Sequence, residues 1–294
     1  MIVTVASGKG GTGKTTVATG LAVAVATALD QEQAPADGTV QLIDCDVEEP
    51  NAHLFLKPAI QARREVGVLT PVVDQAKCNG CRRCAEVCAY HAIAVLGSEV
   101  LVFDELCHGC GSCATNCPER AIREELRVTG VVEEGRSGPI AFAHGILNVG
   151  EAMAVPVIRE LKRRQAKNGP DRLVIRDAPP GTSCPVVECL RGADYALMVT
   201  EPTPFGLHDL RMAVGVARDE LGLPVGVVIN RDGVGDRGVE EYCRREGIPV
   251  LMRIPLDRRI AEACSEGVPL PVALPEYLGT FLSLYRRLQE GVGR

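Results

Sequence analysis

The sequence predicts an α/β fold: a doubly wound, mostly parallel sheet interrupted by a cysteine-rich insert. Three observations carry this. Short apolar runs alternate with helical patterns along most of the chain, as in repeated βα units. The alternation stops near Gly67 and resumes after about Ile122. Finally, the 294 residues are 46% hydrophobic but only 3% aromatic, with no Trp. A core of Ala, Val, Leu and Ile suits a sheet buried on both faces.

Strands are expected at Ile2–Ala6, Val40–Ile43, Leu173–Ile175, Tyr195–Thr200, Val225–Ile229 and Val250–Ile254, with helical patterns such as Thr15–Leu29 and His208–Leu221 between them. This gives three segments: a first part of the α/β domain at 1–67, an insert at 68–124 with short strands and turns, and the rest of the α/β domain at 125–294. "DQEQAPADG", at 30–38, reads as a surface loop. Arg176 is an oddity, a charge ending an apolar strand.

Several classes are excluded. Net charge is −6 with no Lys/Arg block, so nucleic acid is not an expected partner. No apolar run is long enough for a bilayer, and the N-terminus enters a strand with no export signal. Eight of the 13 cysteines fall in two tight runs. In a chain this long, that spacing fits metal ligation in a reducing, cytoplasmic setting rather than a disulfide scaffold.

Gly8 to Thr15, "GKGGTGKT", fits G-x-x-x-x-G-K-[ST] between an apolar strand and an Ala-rich helix. The backbone of Gly10, Gly11, Thr12 and Gly13 is expected to surround ATP or ADP phosphates, with the helix N-terminus adding a favourable dipole. Lys14 should reach the β- and γ-phosphates, and Thr15, followed by Thr16, should ligate Mg²⁺.

Cys78, Cys81, Cys84 and Cys88 form CxxCxxCxxxC, and Cys107, Cys110, Cys113 and Cys117 repeat it, followed by Pro118. This is the two-cluster bacterial ferredoxin pattern, in which the fourth cysteine of each run serves the other cluster. One 4Fe–4S cluster is therefore expected on Cys78, Cys81, Cys84 and Cys117, and a second on Cys107, Cys110, Cys113 and Cys88. Ala89 stands where the pattern has proline. A zinc site would call for two well-separated CxxC pairs or Cys/His pairs. The fold class is thus an α/β P-loop domain with an inserted ferredoxin-like α+β domain.

The early lysine in "KGGTGKTT" resembles the deviant phosphate loop of the MinD/ParA family of P-loop ATPases, which includes the nitrogenase iron protein and iron–sulfur carrier ATPases. "DCDVEEPN", "DAPPGTS", "VVINR" and "RIPLD" continue the resemblance over nearly the whole chain. It implies an ATP-sandwiched dimer, homomeric or with a related ATPase, in which Lys9 reaches the phosphates of the partner subunit. It makes Asp46 the residue orienting the attacking water, Asp44 a neighbour of Mg²⁺, and Asp177 a Mg²⁺ holder, directly or through water. Gly181 would sense the γ-phosphate, Asn230 would contact adenine, and Pro255 would lie in the adenine loop. Members with an internal ferredoxin domain form a subgroup that this chain resembles.

The resemblance does not place Cys184 or Cys189. They follow "DAPPGTS" (Asp177 to Ser183), which resembles the family's switch II; there a bridging cluster or simple packing is open, with packing favoured. Cys45, Cys243 and Cys264 read as packing residues. His108, beside a ligand, reads as a turn residue, and His53, His91, His144 and His208 form no metal spacing. The C-terminal "LGTFLSLYRRLQ" reads as a helix packed on its own sheet rather than on a membrane. The leading expectation is an ATPase coupling nucleotide state to electron transfer or cofactor assembly, with a redox partner or target metalloprotein. The alternatives are a ParA-like scaffold with structural clusters and a ferredoxin-like carrier with passive nucleotide.

Overall fold

Residues 1–31, 40–165 and 172–292 are described by the computed structural model of the chain, so the loop expected at 30–38 lies, from residue 32 on, outside the described residues. The elements run β1 (Ile2–Ala6), α1 (Lys14–Gln31), β2 (Val40–Asp44), α2 (Ala52–Leu56) and a long β3 (Ala59–Val73). Next come the one-turn α3 (Arg83–Glu86), β4 (Ile93–Leu96), β5 (Glu99–Val102), the one-turn α4 (Ser112–Thr115), a long β6 (Ile122–Ser137) and β7 (Ile140–Leu147). The remainder is α5 (Val155–Arg163), β8 (Leu173–Asp177), α6 (Cys184–Leu190), β9 (Tyr195–Thr200), α7 (Pro204–Val214), β10 (Val225–Asp232), α8 (Gly238–Glu246), β11 (Val250–Pro255), α9 (Arg258–Ser265), α10 (Leu270–Ala273) and α11 (Tyr277–Val292).

The chain forms two compact units, one of residues 1–63, 132–146 and 158–294, the other of 64–131 and 147–157. The large sheet has the order β11-β10-β9-β1-β8-β2-β7-β6-β3. From β11 to β7 the neighbouring strands pair in parallel. Only Gly138 and Pro139 separate β6 from β7, so that pair is an antiparallel hairpin. The βα alternation does not resume at Ile122: the chain stays in strands through Leu147, and the next helix is α5.

In the first unit, register sets the site. Val5 of β1 lies beside Asp177 of β8, and Asp44 of β2 lies on the other side of Asp177. Three chain crossings thus leave their loops at one edge, the C-terminal edge where parallel sheets bind ligands. Ala-rich α1 is intrinsically helical and is buried along Val17, Ala18, Leu21, Ala22 and Val25. Its Gly20 admits the ring of Phe281: a Cβ there would stand 2.4 Å from Phe281 Cζ. Phe281, Leu284 and Leu288 form the buried stripe of α11. Helix α7 begins at Pro204, ahead of the expected His208, because Thr203 caps it: its hydroxyl accepts from the Gly206 N–H at 3.0 Å. Past Val214 the backbone winds as a π-helix over Gly215–Glu220. Arg176 is buried with every guanidinium nitrogen hydrogen-bonded. It donates to Gln165 Oε1 (3.0 and 2.6 Å) and to the carbonyls of Cys189 (2.8 Å) and Arg191 (3.0 Å).

The second unit is small. Its apolar centre is Cys84, Ile93, Val100 and Cys113, with Val73, Val95, Val102 and Ile122 packed around them. Gly97, at φ 65°, turns β4 back onto β5. Arg127 and the nearly buried Glu151 form an ion pair, and Thr129 reaches the Val66 carbonyl.

Candidate functional sites

The loop between β1 and α1 wraps the mouth of an open cleft of about 510 Å³. Gly10, Gly11, Gly13, Lys14, Thr15, Thr16, Asp46, Asn230 and Pro255 line it. Gly11 and Gly13 sit at φ 74° and 92°, where side chains are disfavoured. A Cβ on Gly13 would also stand 2.3 Å from Asn230 Nδ2, the group that donates to the Thr12 carbonyl at 2.8 Å. Asn230 therefore ties β10 to the phosphate loop. The cleft also takes in Glu49, Phe55 and Leu256, to which no sequence motif assigns a role, and Cys264, expected only to pack. Lys9, Thr12, Asp44, Asp177 and Gly181 do not line it.

The acids divide the work. Asp44 is fully buried and spends its carboxylate on backbone: Oδ1 accepts from Asp46 N at 3.1 Å, Oδ2 from Asn51 N and Ala52 N, each at 2.9 Å. It shapes the loop that carries Asp46. Asp177 is buried with neither oxygen hydrogen-bonded, and Thr15 is beside it. Burial, then the Asp44 charge, raise its pKa well above the ordinary carboxylate value. A buried acid without a donor is a position built for a cation. Thr15 and Asp177 fit Mg²⁺, which takes few protein ligands and completes its shell with water and phosphate. Burial and then the Asp44 charge push Asp46 up to about 6. Burial lowers the pKa of Lys14 against the opposing pull of Asp177, Asp46 and Asp44. Gly181, at φ 97°, donates its N–H to the Ser7 carbonyl at 3.0 Å, so switch II is stitched to the start of the phosphate loop.

Lys9 is engaged within its own chain. Its Nζ is 3.0 Å from Glu201 Oε2, and Arg231 holds the other oxygen of Glu201. A second unforeseen group is His144, buried, with Nε2 2.9 Å from Glu133 Oε2 and its ring 5.2 Å from that of His53. Cys45 and Cys189 are buried and Cys184 is exposed at the start of α6. Cys264, half-buried, approaches the Thr16 hydroxyl at 3.5 Å.

In the second unit the eight cysteines line two small apolar cavities. Cys78, Cys81, Cys84 and Cys117 line one; Cys88, Cys107, Cys110 and Cys113 line the other. Each four takes its last member from the other run. The local backbone repeats as well. Gly80 and Gly109, Arg82 and Gly111, and His91 and Arg120 are three pairs of positive φ at matching places in the two runs. Arg82 and Gly111 precede α3 and α4. Ala92 N–H donates to Cys88 Sγ and Ala121 N–H to Cys117 Sγ, both at 3.3 Å. Among the described residues no three of His, Cys, Asp or Glu converge on a single metal ion. Four thiols spread around an apolar cavity, with N–H groups aimed at sulfur, fit a polynuclear cluster instead. His108 is not a plain turn residue: its ring stacks on Tyr90 with centroids 3.8 Å apart, at the wall of the second cavity.

Residues 3–270 match the CobQ/CobB/MinD/ParA nucleotide-binding domain family. The chain belongs to that family. As a P-loop ATPase of MinD/ParA type it is similar to an uncharacterized protein of Methanocaldococcus jannaschii, MJ0579, at 31% identity over 268 residues, 91% of this chain and 90% of that one. An iron–sulfur cluster carrier protein of the same organism is 28% identical over 138 residues, 42% of this chain and 47% of that one. Among solved structures, the septum site-determining protein MinD of Pyrococcus horikoshii, complexed with Mg-ADP, superposes with a TM-score of 0.58. It has 20% identity and covers 98% of this chain and 95% of that one. Its likeness establishes the α/β P-loop fold. No helix among the described residues is long and apolar enough to cross a membrane.

Proposed function

We propose that this ATPase couples its nucleotide state to electron transfer or metal-cofactor assembly through two 4Fe–4S clusters. Cys78, Cys81, Cys84 and Cys117 would hold one, and Cys88, Cys107, Cys110 and Cys113 the other. The observation that carries the reading is the crossed grouping of the eight cysteines around two separate cavities. Such clusters supply one-electron chemistry at potentials set by charge, hydrogen bonds and exposure. Residues 68–124 would be the cluster module, with 1–67 and 125–294 the ATPase.

On the nucleotide side, the glycine loop and Lys14 bind the phosphates, and Thr15 and Asp177 hold Mg²⁺. Asp46 orients the attacking water, Asn230 and Pro255 face the base, and Gly181 turns from Ser7 toward the γ-phosphate. Lys9 acts on phosphates across a dimer, with a second copy or a related ATPase. The loop at 44–51, which carries Asp46, leads through α2 directly into β3, and β3 continues into the cysteine unit. That covalent path gives ATP a route to the clusters. A redox partner or a target metalloprotein would receive the electrons or the cofactor.

The test is a redox titration of the protein with ADP, with a non-hydrolysable ATP analogue, and with Lys14→Ala. A nucleotide-dependent potential supports coupling; a tenfold change in relative affinity of the redox states is about 59 mV for one electron. Identical potentials and identical iron accessibility in all three would leave a ferredoxin-like carrier with passive nucleotide, or a scaffold with structural clusters.

A further inference from the structure

The phosphate loop's early lysine is held in a built ion cluster. Glu201 follows β9 and is nearly buried, with 10% side-chain exposure. One carboxylate oxygen takes Lys9 Nζ at 3.0 Å and the other takes Arg231 Nη1. The acid is rigidly mounted. Its carbonyl accepts the Thr203 N–H at 2.8 Å, in the turn that caps α7. That turn closes because residue 206 is glycine: a Cβ there would stand 2.2 Å from the Glu201 carbonyl oxygen. Both cations lie beside the nucleotide loop, though only Arg231 lines its cleft. Lys9 belongs to the phosphate loop, its carbonyl fixed by the Ser7 hydroxyl at 2.6 Å. Arg231 lines the cleft, in the left-handed region at φ 53°, next to Asn230. A strained arginine placed to complete an acid's second contact marks a position under constraint.

We propose that Glu201 is a positioning residue that parks Lys9 in the resting subunit and releases it when ATP phosphates on a second copy compete for the same ammonium. Glu201 and phosphate are alternative anions for one cation. The dimer therefore forms at the expense of the Lys9–Glu201 contact, and the resting ATPase stays slow because its trans-acting cation is occupied. Arg231 keeps the carboxylate from being left bare when Lys9 departs, since an unpaired buried charge is costly. The inference rests on the reading that Lys9 acts across a dimer.

The experiment measures Mg·ATP-dependent self-association by sedimentation, with steady-state hydrolysis, for the full chain and for Glu201→Gln, Lys9→Ala and the double variant. Releasing a partly buried ion pair should lower the midpoint concentration of ATP-driven dimerisation about fivefold in Glu201→Gln. The same substitution should change nothing in the Lys9→Ala background. An unshifted midpoint in Glu201→Gln, or a shift that persists without Lys9, overturns the proposal. Lys9→Ala that dimerises and hydrolyses like the parent, or a parent that never self-associates with ATP, instead overturns the underlying trans-lysine reading. Should Glu201→Gln not fold, Glu201→Asp replaces it. One methylene shorter, it loses the two-sided grip and should move the midpoint in the same direction; no movement counts against the proposal.

Discussion

Replacing Asp46 with Asn is expected to stabilise the nucleotide-free protein at neutral pH while removing most of its hydrolysis. Burial, then the neighbouring Asp44 charge, raise the Asp46 carboxyl from the ordinary 3.8 to about 6, despite the pull of Lys14. An acid with a raised folded-state pKa binds its proton more tightly folded than unfolded. Its contribution is therefore present in full below about pH 4 and is lost as pH rises through about 6. The rise corresponds to at most about 3 kcal/mol. Asp46 retains some exposure, and solvent screening brings this to about 1–2 kcal/mol. At about 2–4 °C per kcal/mol for a chain of this size, Asp46→Asn should melt roughly 2–8 °C higher near pH 8. The gain should shrink toward zero as the buffer approaches about pH 4. Melting of both proteins without nucleotide, from about pH 5 to about pH 8, checks this. A constant offset across that range, or a variant that is less stable near pH 8, would refute the electrostatic reasoning. Mg·ATP binding should survive, with turnover lower by about 10²–10⁴-fold; normal turnover would remove Asp46 from water activation.

Lys9→Ala should bind nucleotide normally and lose about 10³–10⁵-fold in hydrolysis, the worth of a trans-acting cation; nucleotide titration and phosphate release measure the two separately. Cys88→Ser should damage the cluster of Cys107, Cys110 and Cys113, and Cys117→Ser that of Cys78, Cys81 and Cys84. Iron content and EPR of the reduced variants decide, and damage confined to a variant's own run would break the crossed assignment. Gly13→Ala forces its methyl onto Asn230 Nδ2; weaker ATP binding should result, seen by calorimetry, with little change in iron content. Phe281→Ala opens a hole against Gly20 and should cost about 3–5 kcal/mol in urea unfolding.

Sequence spacing alone determined the phosphate loop, the two cysteine runs and six strands of the sheet. Each is written in neighbouring residues: a glycine pattern at a strand–helix junction, thiols at fixed intervals, apolar runs of strand length. Boundaries follow where a local signal exists; the helical stretch expected from His208 starts four residues earlier because Thr203 caps it. The β6–β7 hairpin is hidden in the sequence, because charged residues such as Glu133, Glu134 and Arg136 mask its apolar face; Glu133 faces His144. The sheet then decided what the motifs could not. Register brought Asp44 and Asp177 together, and the surrounding fold gave one to the backbone and left the other open for a cation. Arg176 found its partners in Gln165 and two carbonyls. Lys9 and Glu201 lie 192 positions apart. No periodicity or spacing links them. They meet because β1 and β9 are neighbours in the sheet, and each loop leaves its strand at the same edge.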